Sequence, residues 1–160
     1  MFHRRLILIA AAAAMVAGCA TRSAPVPVAD TIAATPSLST LNDLIANSGL
    51  TSTLNGTGPF TVFAPTNDAF KAVPAKTMDA LANDPAMLRH VLTYHVLAGK
   101  VLSADVKNGS VTTVNGASVA LAKAGEFVTV EESMVQTANI VASNGVIHTV
   151  DRVMIPPVKK

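Results

Sequence analysis

The spacing of apolar side chains changes once along this chain, and that change limits the folds open to it. Before Gly99, apolar residues recur at three- and four-residue intervals: Leu38, Leu41, Leu44 and Ile45, then Met87, Leu88, Val91 and Leu92. Such spacing lines one face of a helix. Beyond Gly99 the pattern turns to alternation, in 111–114, 117–121, 127–130 and 146–150, which lines one face of a strand. Asn115-Gly116 and Ser143-Asn144-Gly145 interrupt the alternation with the residues that tight hairpin turns favour. One strand signal comes early. Phe60-Thr61-Val62-Phe63 is β-branched and aromatic, and Pro65 stops it, because proline cannot donate to a sheet ladder. Helices first and hairpins later predict an α+β fold.

Local signals mark the ends of these elements. Ser37 or Ser39 is available to cap the helix that begins near Leu38, and Asn47-Ser48-Gly49 stops it. Leu50 and Leu54 suggest another turn or two before Asn55-Gly56. Asp84-Pro85 is a cap followed by proline at the first helical position, where its missing N–H costs nothing. The helical pattern passes toward a strand within Thr93-Tyr94-His95-Val96-Leu97.

The N-terminus predicts the compartment. Arg4 and Arg5 precede an apolar run from Leu6 to Ala17, shorter than the roughly 20 residues a helix needs to cross a bilayer. Val16-Ala17-Gly18-Cys19 resembles a bacterial lipobox, so residues 1–18 are expected to be a lipoprotein signal peptide and Cys19 the lipidated residue. Ala20, rather than Asp, follows the cysteine and resembles outer-membrane sorting, with the domain facing periplasm or exterior. Residues 19–29 then read as the lipidated Cys and a Pro/Ala-rich tether, 30–157 as one domain, and 158–160 as a basic tail. With residues on to Pro36 counted, such a tether would reach roughly 25–50 Å.

Cleavage also changes the charge. Of 12 Lys+Arg against 10 Asp+Glu, Arg4 and Arg5 leave with the signal, and the mature chain is formally neutral. No basic stripe with interleaved aromatics remains, so no nucleic-acid footprint is expected. Cys19 is the single cysteine; once acylated, it leaves no thiol for a disulfide, a thiolate nucleophile or a metal.

Three segments, "GPFTVFAPTNDAF", "LRHVLTYHVLAGKV" and "NIVASNGVIHTVDRVMIPP", follow one another in this order. Together they resemble a fasciclin domain: two strand-bearing boxes near the ends and a Tyr-His dipeptide between them. The resemblance covers about residues 30–157. It implies a wedge-shaped antiparallel β-sandwich with several packed helices, and a role in extracellular adhesion or matrix binding. In animal members the Tyr-His region and its apolar neighbours are tied to integrin-dependent adhesion. The matching residues are Tyr94 and His95, with Val91, Leu92, Val96 and Leu97 beside them. The competing reading makes His95 a hydrogen-bonded core residue, as a histidine among apolar neighbours usually is.

The remaining candidates weigh toward structure. Thr66-Asn67-Asp68 could hold a nucleophile and a base at a strand end, but nothing in the sequence aims His90 or His95 at Thr66. A helix cap needs only these three residues themselves. His148 and Asp151, at i and i+3, would be half a metal site, yet alternation along a strand puts them on opposite faces. No catalytic residue, metal or cofactor is expected. Glu131-Glu132 reads as a solvated pair, and Asn115-Gly116 and Asn144-Gly145 as turns alone. The chain is thus expected to be a membrane-tethered binding or adhesion module, recognising a protein or polysaccharide of the envelope or matrix, and not an enzyme. The alternative is a small-ligand carrier or enzyme using a pocket among Met78, Met87, Met134 and Met154.

Overall fold

A computed structural model describes residues 25–157. Helices α1 (Val28–Ala33), α2 (Ser39–Ser48) and α3 (Thr51–Leu54) come first, with a 3-10 turn at Pro36–Leu38, then strand β1 (Phe60–Pro65). Helices α4 (Asn67–Lys71), α5 (Ala75–Asn83) and α6 (Pro85–Tyr94) follow, and then β2 (Val96–Ala98), β3 (Gly109–Thr112) and β4 (Ser118–Ala124). The chain finishes with β5 (Phe127–Val130), β6 (Ser133–Ala142) and β7 (Gly145–Val150). The fold is α+β and forms one domain, as the single change in spacing predicts.

The strands make one seven-stranded sheet in the order β2-β1-β7-β6-β5-β4-β3. Every neighbouring pair is antiparallel except β1 and β7, which run parallel in register from Phe60↔Gly145 to Pro65↔Val150. The sheet therefore departs from a purely antiparallel sandwich at its centre. Strand β6 touches β5 only at Thr129↔Met134 and Val130↔Ser133, then continues along β7 through two register shifts. Asn139 sits in one of those shifts at φ 60°. Extra residues of this kind bend a strand, and β6 turns the corner between the two halves of the sheet. A single bridge, Leu97↔Thr113, brings the opposite edges together.

The pleat of β1 feeds two cores. Val62 and Ala64 pack with the helices, beside Leu41, Ile45, Leu88 and Ile147. Phe63 points the other way, toward Tyr94, Leu97, Val119, Val130 and Val150. Successive side chains of a strand face opposite sides, so this one strand joins both cores.

Several elements differ from expectation. Val28, Ala29 and Ile32 are buried in α1, so the structured body begins before residue 30 and the tether cannot run through Ala29. Segment 25–34 lacks a long apolar period, and only packing makes it a helix. Helix α5 carried no sequence signal because it buries a single residue, Leu81. Helix α6 continues through Tyr94, with His95 as its C-cap, and the strand starts at Val96, inside the Thr93–Leu97 stretch where the pattern changes. Neither Ser37 nor Ser39 is the N-cap of α2: Leu38 holds that position without a side-chain bond. The cap comes from Asn67, whose Oδ1 accepts from Thr40 N at 3.0 Å while its Nδ2 donates to Pro36 O and Ser39 Oγ.

Candidate functional site

Asp84 starts α6 by accepting from the N–H groups of Ala86 and Met87, and Pro85 fills the first helical position. Ten residues later the helix delivers Tyr94 and His95 to the β-side core. The two neighbours have separate surroundings. His95 is 1% exposed. Its Nδ1–H donates to Val91 O at 2.8 Å, and its Nε2 accepts from Met154 N at 3.0 Å. Its own carbonyl accepts from Phe63 N at 2.9 Å. Both ring nitrogens are used by neutral-imidazole bonds, and burial pushes the ring down to about 4, outweighing the Val91 carbonyl. His95 thus ties α6, β1 and the segment after β7 into one unit.

Val91, Leu92 and Val96 are buried with it. An adhesive face made of His95, Val91, Leu92 and Val96 is therefore corrected: these side chains are committed to the interior, and of them only Val91 borders a surface concavity, beside Met87 and His90. Their apolar character fills the two cores. Tyr94 is the exception. Its ring is buried, but its hydroxyl reaches Ser118 O at 3.4 Å on the floor of an open groove of about 550 Å3. Burial, then the nearby Glu131 carboxylate, raises the phenol, so it is neutral and can donate a hydrogen bond.

The groove walls come from distant parts of the chain. Glu131 and Ser133 flank the β5–β6 turn, and Arg152 and Ile155 belong to the segment after β7. Glu131 stands at φ 54°; its N–H donates to Ala120 O at 2.8 Å and its Oε1 accepts from Ala120 N at 2.7 Å. Glu131 and Glu132 are both exposed, as a solvated pair should be, and the Glu131 carboxylate also pins the β4–β5–β6 corner beside the groove. Arg152 joins no ion pair among the described residues, which leaves its guanidinium free for a ligand. A phenol, the exposed Ser118, a guanidinium and an apolar flank can bind and orient a polar chain molecule, while the buried Ser133 hydroxyl is spent on Arg152 O. They do not form a nucleophile–base pair.

The other sequence candidates lie elsewhere. Thr66 is the N-cap of α4, its Oγ1 accepting from Ala69 N at 3.3 Å. Asp68 pairs with Lys71 at 2.8 Å on the surface, where each partner shifts the other toward its charged form. His148 is buried, stacks on Phe63 with ring centroids 5.6 Å apart, donates from Nε2 to Val101 O and accepts at Nδ1 from Asn139 N. Asp151 Oδ1 accepts from Met134 N. Among the described residues no group of three or more His, Cys, Asp or Glu is placed to hold a metal ion. The four methionines do not share a cavity: Met134 is exposed, Met154 is in the β-side core, and Met78 and Met87 pack against the helical one. Cys19, the signal peptide and the basic tail lie outside the described residues.

Sequence reading missed two residues. Arg152 carries no motif, and its place opposite Tyr94 depends on the fold. Asn144 is more than a turn residue: its Nδ2 donates to Leu54 O and Gly56 O, its Oδ1 accepts from Val28 N, and its carbonyl accepts from Phe60 N. Separations of up to 116 residues leave no local trace of such bonds.

Comparison with known proteins agrees with this architecture. The family model described as Fasciclin domain matches residues 36–156. Protein sll1483 of Synechocystis is 40% identical over 146 residues, covering 90% of this chain and 81% of its own length. Cell surface glycolipoprotein MPB83 of Mycobacterium bovis is 35% identical over 136 residues, covering 82% of this chain and 61% of that protein. Among solved structures, a FAS1 domain pair from the insect cell adhesion molecule Fasciclin I superposes with a TM-score of 0.65 at 16% identity. That match spans 82% of this chain and 51% of the pair, and at this identity it speaks for the fold alone. Family match, relatives and fold agree: this chain belongs to the fasciclin domain family.

Proposed function

We propose that this chain is a binding module held at the cell envelope by acylated Cys19, and that it recognises an envelope or matrix protein or polysaccharide through the Tyr94 groove. The observation that carries the reading is the groove itself: a neutral phenol hydroxyl, the exposed Ser118 and the free guanidinium of Arg152 beside the apolar Ile155. The surface and adhesion proteins in the family support it, and MPB83, named as a cell surface glycolipoprotein, supports the lipid anchor in particular. A neutral mature chain lacks the field for long-range steering, so recognition rests on hydrogen bonds and apolar contact.

Retention of the purified chain on isolated envelopes and on candidate polysaccharides tests this reading, at low and high salt. Retention should persist at high salt, where exposed charges are screened, and Arg152→Glu should abolish most of it without changing the melting temperature. Cys19→Ala should leave an uncleaved or soluble form. Turnover of a small molecule with no retention on any surface would refute the binding reading.

A further inference from the structure

The described chain enters the fold at one end of the β1–β7 pair. Val26 O accepts from Ser143 N at 2.9 Å, and Val28 N donates to Asn144 Oδ1 at 2.8 Å, so entry is fixed at the β6–β7 turn. Gly145 and Phe60 begin the parallel pair at this end, and Val150 and Pro65 finish it. At ~3.3 Å per residue the two ends lie roughly 17 Å apart. The Tyr94 groove belongs to the far end: Arg152 and Ile155 follow Val150, and Ser133 lies beside Met134, whose carbonyl accepts from Asp151 N.

The chemistry of the two ends differs as their positions do. At the entry end, Val26 and Val141 are 42% and 57% exposed, large apolar side chains with nothing over them. Beside them a concavity of about 490 Å3 is lined by Gly56, Thr57, Pro59, Lys100 and Ser143, among others. Lys100 is its one charged lining residue among those described. Asp30, one turn into α1, is the acidic side chain nearest the entry point in sequence. The far end also exposes apolar side chains, Met134 and Ile155, but sets them among Glu131, Glu132 and Arg152.

A covalent limit connects this end to a surface. Six residues separate Cys19 from Val26, and at full extension the seven steps between them span no more than about 25 Å. We propose that the end bearing Val26, Val141 and Lys100 is the face this domain lays against the phospholipid headgroups of the membrane that holds its acyl chains, with the Tyr94 groove directed away from them. The inference rests on the lipid anchor proposed above. Exposed valines enter the headgroup–acyl boundary favourably, and a lysine beside them pairs with headgroup phosphate. Contact at this end leaves the groove free for a partner.

The test uses the full-length acylated protein in vesicles of phosphatidylethanolamine and phosphatidylglycerol that contain a nitroxide-headgroup lipid. Because the Cys19 sulfur is consumed by its lipid, a fluorophore attaches only to an introduced thiol, at Ser143→Cys or at Glu132→Cys. The Ser143→Cys label should lose most of its fluorescence and the Glu132→Cys label almost none. Adding Lys100→Glu and Val141→Glu should relieve the loss at position 143. Equal quenching at both positions, or stronger quenching at 132, overturns the orientation, including the case in which a soluble partner covers this face. Intact mass separates the two failures: a chain without acyl groups refutes the anchor, and the orientation falls with it. An acylated chain with unordered quenching refutes the orientation alone.

Discussion

At one end of the β1–β7 pair, Gly58, Gly145 and Asn144 bring backbones into direct contact beside a concavity of about 490 Å3; at the other, Tyr94, Glu131 and Arg152 surround about 550 Å3 of open space. A Cβ on Gly145 would collide with Phe60 O, and one on Gly58 with Asn144 O, so the entry end has no room for side chains there. Its order comes from backbone groups that bond to one another and to the side-chain amide of Asn144. The groove end is built from side chains whose polar atoms are only partly engaged. The difference separates what a domain must keep fixed from what it can offer to a partner: buried polar groups need bonds within the fold, while a binding surface needs groups whose bonding capacity remains open.

Substitutions at the two ends should therefore have unequal costs. The largest effect is expected at the closed end. Gly145→Ala forces its new methyl into the Phe60 carbonyl and Val28, and should cost about 3 kcal/mol or more, a large share of a small domain's stability. Denaturant melts measure it, and a loss below about 1 kcal/mol would mean that the close approach relaxes easily.

Acid should probe the layer between the ends. His95 is neutral in the folded state, with its ring near 4, whereas an unfolded histidine titrates near 6.5. Between those values the unfolded chain binds more protons, so stability falls as pH drops from 6.5 to 4, by on the order of 3 kcal/mol. Buried His148, shifted in the same direction, adds to the loss. Melting temperatures across this window measure the slope, and His95→Gln should flatten it. An unchanged slope in that variant would move the effect away from His95.

Smaller effects come from a helix cap and from surface positions. Thr66→Ala removes the α4 cap and should cost about 1 kcal/mol, whereas Asp68→Asn should cost less, because its pair with Lys71 is solvent-exposed. Urea melts of both variants check the order. Arg152→Ala should change stability by less than about 0.5 kcal/mol while weakening retention on envelopes. It is the variant that divides binding from folding. A destabilised Arg152→Ala would make the open end as structural as the closed one.

Much of this was legible in the residues themselves. The α+β order, the α6 cap at Asp84-Pro85, both hairpin turns and the family segments all depend on neighbours a few positions apart. The roles of Tyr94 and His95 were not legible. Both sit in an apolar run, and that composition suits a core and an adhesive patch equally. Helical geometry turned His95 inward to Val91 and Met154, and set the Tyr94 hydroxyl beside Ser118. Asn67 looked like the cap of its own helix, but it caps α2, 27 residues back.

By itself the sequence determined element type, turn positions and family, because these follow from periodicity and from backbone preferences that act over a few residues. Tertiary structure alone decided the parallel β1–β7 centre, the burial of α1, the Asn144 hub and the meeting of Tyr94 with Arg152. The strand pair, the Asn144 hub and the Tyr94–Arg152 meeting join groups 58 or more residues apart, and α1 packs on β7 as well as on its neighbours α2 and α3. Hydrogen-bond satisfaction and close packing select such contacts only after the chain has folded back on itself.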